Sequence, residues 1–133
     1  MHLAVNLTTF VEGKIGGMEN YVRRVIGDIA KRQQETGERY TIFAREAEIR
    51  GLARMAPGAI VIGVDPTEPE KTVEAALKLG YYDLLFCPLL VLEPSRPEIP
   101  SAVTIPDLQH EFYPEYFPDE ILEWRRQRFG PSA

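Results

Sequence analysis

Cysteine is nearly absent from this chain: Cys87 is the one such residue among 133. No internal disulfide can form, and between Phe86 and Pro88 it reads as a small buried hydrophobe rather than a reactive thiol. Basic residues are in deficit, 15 Lys and Arg against 20 Asp and Glu, for a formal net charge of −5 and a pI near 5.1. That balance repels a polyanionic backbone, so no nucleic acid partner is expected. Long apolar runs are missing too: residues 84–87 and 89–92 are interrupted by Pro88 and fall far short of the ~20 residues that cross a bilayer. Neither a basic n-region nor a small-residue cleavage site accompanies HLAVNL after Met1. Export is therefore not signalled, and the cytoplasm is the expected compartment, with a peripheral place at the inner membrane face as the alternative. Two histidines and one cysteine form no cluster with metal-ligand spacing. There are no internal repeats and no low-complexity tracts.

What is present suits one ordinary domain over residues 1–133: 44 % hydrophobic and 26 % charged residues, enough for a single core. HLAVNL reads as an opening strand, and the polar stretch 8–14 as a loop. From Met18 the apolar positions Met18, Tyr21, Val22, Val25, Ile26 and Ile29 recur at three and four, which predicts a one-sided helix. Gly37 should stop it, with Lys31 and Arg32 suiting the negative end of its dipole. RYTIFA is a second strand, EAEIRGLARM a short helix, and AIVIGV a strand apolar enough to be buried on both faces. PTEPEKTVEAALKLG then reads as a helix stopped by Gly80, and YDLLFC as another buried strand. A proline-rich connection, residues 88–100, excludes helix. SAVTIPD resumes as a strand, DLQHEFYPEYFPDE is an aromatic, proline-rich loop, and Asp119 is placed to cap a last helix over EILEWRRQRFG. Strand and helix alternate in this way in right-handed crossovers. The expected fold is α/β: a three-layer α/β/α sandwich with a doubly wound, Rossmann-like parallel sheet of about five strands.

Gly16 and Gly17 stand directly before the first long helix. A dinucleotide fingerprint needs G-x-G-x-x-G in a tight turn after the strand, but here the glycines are Gly13, Gly16 and Gly17, after a long loop. A phosphate-binding G-x-x-x-x-G-K-[ST] loop fails as well, because Thr8 stands where its first glycine belongs and Ile15 follows Lys14. Two readings remain. The glycines serve only a turn with positive φ, or they bare the N–H groups and positive dipole end of the helix to an anion.

Two stretches, GGMENYVRRVI after the first strand and VTIPDLQHEFYPEYFPDEILEWRRQRF after the fifth, resemble the N-terminal lobe of retaining nucleotide-sugar glycosyltransferases of family four, the GT-B architecture. The shared marks are Gly-Gly before an amphipathic helix with E-x-Y inside it (Glu19, Asn20, Tyr21), and a strand leading into Asp107-Leu108 and an aromatic-proline YPEYF loop. The resemblance spans essentially the whole chain. It implies transfer of a sugar from a nucleoside diphosphate donor to a carbohydrate or lipid-linked acceptor with retained anomeric configuration, and neither a cofactor nor a metal. It also implies a substrate- or diphosphate-binding set of Gly16, Gly17, Asn20, Asp107, Gln109 and His110, with Asp107 and His110 as catalytic candidates. The sequence departs at Pro106, where many relatives carry the histidine before the aspartate.

The family's second lobe, with its paired glutamates, has no counterpart in these residues. The chain is accordingly expected to be a partial N-terminal lobe, inactive alone, that self-associates through an uncovered sheet edge. The competing reading is a non-catalytic α/β module for anion binding or protein interaction. Glu111 and Glu115 flank Phe112, Tyr113, Tyr116 and Phe117, which reads as a loop pinned to the core by its rings, with sugar stacking as the alternative. Arg23, Arg24, Arg125, Arg126 and Arg128 read as a solvated face.

Overall fold

A computed structural model describes residues 1–129. Five strands, β1 (His2–Leu7), β2 (Arg39–Arg45), β3 (Ile60–Val64), β4 (Leu84–Cys87) and β5 (Ser101–Val103), form one parallel sheet in the order β3-β2-β1-β4-β5. The chain winds outward from β1 to one edge, then returns to β4 and continues to the other. The expected doubly wound α/β sandwich is the observed fold.

Period two along the strands divides the core between two faces. Leu3, Val5 and Leu7 of β1, with Tyr40, Ile42 and Ala44 of β2, lie under α1 (Gly17–Thr36) and α2 (Ile49–Met55). Ala4, Phe43, Leu85 and Cys87 lie under Val73 and Leu77 of α3 (Pro69–Leu79). Val22, Ile26 and Ile29 are the buried stripe of α1, each worth about 1.5–3 kcal/mol when wholly buried. That helix ends as expected at Gly37, whose φ of 69° is left-handed and whose N–H reaches the Gln33 carbonyl at 3.0 Å.

Several expectations need correction. No basic residue occupies the last turn of α1; Lys31 and Arg32 pair instead with Glu35 and Glu38. β3 is not buried on both faces: it is an edge strand, and Ile60 is 58 % exposed. An apolar run reports the strand's composition, not its rank in the sheet. Only Ser101–Val103 of the SAVTIPD stretch is strand, since Pro106 has no N–H to pair. The aromatic loop contains a one-turn helix, α4 (Gln109–Phe112), and a 3₁₀ turn at Pro114–Tyr116. Asp119 is not the cap of α5 (Asp119–Phe129) but its first residue. The Pro118 carbonyl accepts the N–H of Ile121 and of Leu122, and the Asp119 carboxylate instead suits the dipole from inside the first turn.

Candidate functional site

In a parallel sheet every strand delivers its following loop to the same edge, and the crevice lies where the winding reverses. Here that point is between β1 and β4, flanked by residues 8–16 and 88–100. The first loop is nailed down by Phe10, which is 1 % exposed, and by Ile15 and Met18 against the α1-side core. Its glycines stay outside. Gly13 and Gly16 hold φ of 75° and 56°, a region that L side chains rarely enter. No side chain caps α1, and a Cβ added at Gly13, Gly16 or Gly17 would meet nothing within 4 Å. Asn20 is exposed beside them.

The carboxylate of Glu19 turns back onto the loop, accepting the Gly13 N–H at 2.7 Å and the guanidinium of Arg23 at 2.8 Å. Arg23 also grips Glu12. Hydrogen bonds from Arg23 first, then from Gly13, hold the Glu19 carboxyl below the usual carboxylate range. Glu19 lies in the first turn of α1, where its carboxylate suits the positive end of the helix dipole.

One turn into α1, the Tyr21 hydroxyl meets the Thr104 hydroxyl at 2.8 Å. Thr104 directly follows β5 and leads into Ile105, Pro106 and Asp107. The start of α1 and the aspartate-bearing segment therefore lie at the same end of the sheet, joined by a hydrogen bond.

Beyond Thr104 the predicted residues divide. Asp107 accepts the Gln109 N–H at 2.7 Å, which starts α4, and lies 3.8 Å from Arg125. The Gln109 side chain is exposed. His110 is 4 % exposed, between the edges of Phe117 and Phe129. Its Nδ1 lies 2.8 Å from Arg125 Nη1. A guanidinium only donates, so Nδ1 accepts, and Nε2 is the nitrogen left to donate, 3.2 Å from Glu111. His110 thus braces the segment from inside. Arg125 is the centre of this cluster, with its guanidinium 4.8 Å above the Phe117 ring. It was missed by reading arginines as a solvated face; the signal was its spacing from Leu122 and Phe129, three and four residues away on the buried stripe.

The loop after β4 carries a second arrangement that sequence patterns do not reveal. Asn6, 6 % exposed, accepts the Thr8 N–H at 2.9 Å and donates to the Glu93 carbonyl at 2.7 Å. It ties both crevice loops together. A cavity of about 610 Å³ opens there, lined in part by Glu70, Glu93, Arg96, Gln127 and Arg128. Glu93 meets Arg128 at 3.0 Å; burial pushes its carboxyl up, and Arg128 offsets part of that. Gly16, Gly17, Asn20, Asp107, Gln109 and His110 do not line this cavity, whereas Arg128, expected on a solvated face, does.

Among the described residues no helix is long and apolar enough to cross a membrane, and no group of three or more His, Cys, Asp or Glu is arranged to hold a metal ion. Fold and site together define a doubly wound α/β domain with an uncapped, glycine-ended helix at its switch-point edge. No family model, curated protein or solved structure matches the chain.

Proposed function

We propose that the chain is the acceptor-side N-terminal domain of a retaining glycosyltransferase that moves a sugar from a nucleoside diphosphate donor, the remainder of the donor site lying on a second lobe outside these residues. One observation supports the reading: the Tyr21–Thr104 hydrogen bond, which ties α1, one turn from its open end, to the residue three before Asp107. No side chain caps this end of α1, where the Met18 and Glu19 N–H groups donate to the Ile15 and Gly16 carbonyls at 3.3 and 3.0 Å; the positive end of the helix dipole that remains is a field that serves a leaving diphosphate best where charge builds in the transition state. Gly16 and Gly17, lacking Cβ, let phosphate oxygens come close. His110 serves by position, holding α4 against α5 through Arg125.

The test is a titration of the ¹⁵N-labelled chain with uridine diphosphate, guanosine diphosphate and inorganic pyrophosphate. Amide shifts at residues 16–18 and 107–110 are expected, and Gly17→Val should abolish them by filling the approach. Shifts confined to other residues, or shifts indifferent to Gly17→Val, would overturn the assignment. So would release of nucleoside diphosphate from UDP-glucose or GDP-mannose by this chain alone.

A further inference from the structure

Of the rings expected to pin residues 107–120 to the core, three do the opposite. Phe112, Tyr113 and Tyr116 are 74 %, 55 % and 78 % exposed, and Phe117 alone turns inward, under Arg125. Large rings left in water on a rigid turn are a cost unless something covers them. Rigidity is evident here: the Tyr113 N–H bonds to the Gln109 carbonyl at 2.7 Å, the Phe117 N–H to the Pro114 carbonyl at 3.0 Å, and the Phe117–Arg125–His110 cluster anchors the base.

Tyr113 and Tyr116 lie 6.2 Å apart, centroid to centroid, with their planes inclined at 34°. No ring can insert between them, so a ligand must lie across them. With Gln109 and Phe117 they line a cavity of about 210 Å³, below the roughly 300–1,000 Å³ of pockets that enclose drug-sized molecules. It takes one ring, not a whole nucleotide sugar. The residues that line it are three aromatics, two of them phenols, and a carboxamide able to donate and accept. That set matches a molecule with one C–H face and a rim of hydroxyls. Glu111 and Glu115 beside it, in a chain of net charge −5, repel phosphate-bearing lipids and nucleic acids.

We propose that Tyr113, Tyr116 and Gln109 form a subsite for a single uncharged pyranose ring, its C–H face on the two tyrosines and its hydroxyls on the Gln109 amide. Assigning that ring to the acceptor rests on the transferase reading; the binding itself does not. Because the backbone that carries the rings is already hydrogen-bonded, little backbone ordering entropy opposes the contact.

Saturation-transfer NMR with millimolar methyl α- and β-glycosides of glucose, galactose and mannose tests it. Transfer onto the C–H protons of at least one glycoside is expected. Tyr113→Ala and Tyr116→Ala should each weaken binding about threefold to tenfold, Gln109→Ala should weaken it as well, and Tyr116→Phe should retain it. These positions are exposed, so circular dichroism should show all variants folded. Transfer is read on the unmodified chain with no diphosphate in the sample, which separates failure here from failure of the diphosphate reading. No transfer from any glycoside, transfer indifferent to both alanine variants, or tyrosine-dependent partition onto phosphatidylcholine vesicles without glycoside transfer would each overturn the subsite.

Discussion

Removing the phenolic oxygen of Tyr21 isolates the contact on which the site depends. Tyr21→Phe keeps the ring that packs against the α1-side core and deletes only the 2.8 Å bond to Thr104. Thr104→Val deletes the same bond from the other side with little change of shape. Both groups are partly buried, so each single change should cost about 1 kcal/mol, the net worth of an intramolecular hydrogen bond, with water partly satisfying the orphaned hydroxyl. For 133 residues, an unfolding entropy of about 2.1 cal/mol/K per residue turns that into a fall in Tm of about 3–4 °C. The bond can be lost once only. The double variant should therefore fall scarcely further than either single one, a coupling of about 1 kcal/mol, measured by paired urea and thermal unfolding. Additivity within about 0.3 kcal/mol would refute the claim that α1 and the segment after β5 are held together by these two hydroxyls.

Two further perturbations probe the same edge. Asn6→Ala strands the Thr8 N–H and leaves the Glu93 carbonyl only the weak Cys87 thiol donor at 3.6 Å, and should cost about 1–3 kcal/mol in urea unfolding. Asn6→Asp keeps an acceptor for Thr8 but turns an unpaired oxygen on the Glu93 carbonyl, so at neutral pH it should cost at least as much; a neutral Asn6→Asp would show that the bond to Glu93 contributes nothing. Burial pushes the Cys87 thiol up to about 11, so at pH 8 its thiolate should be a few hundred times scarcer than that of a free thiol near 8.5. Its alkylation by iodoacetamide should rise with pH toward 11 and become fast only on unfolding; stoichiometric native labelling within minutes at pH 8 would contradict that burial.

Much of the chain was legible because its signals are local. The span of β1, the stripe Val22, Ile26, Ile29 and the glycine stop at Gly37 follow from side-chain periodicity and from one residue able to adopt positive φ. Crossover handedness then leaves few ways to wind such a series. Strand rank is different: Ile60 and Leu85 sit in equally apolar runs, yet one is on an edge strand and the other fully buried. Which neighbour a strand acquires depends on pairings tens of residues away.

The candidate site divides along the same line. That Gly16 and Gly17 open a helix, and that no common phosphate loop surrounds them, is a property of adjacent residues, determined by the sequence itself. Tertiary structure alone decided that Tyr21 meets Thr104, 83 residues on, that His110 turns inward to Arg125 and that Tyr113 and Tyr116 face water. A side chain's chemistry belongs to its residue type, whereas its exposure and its partner are set by whichever distant element the packed core brings against it.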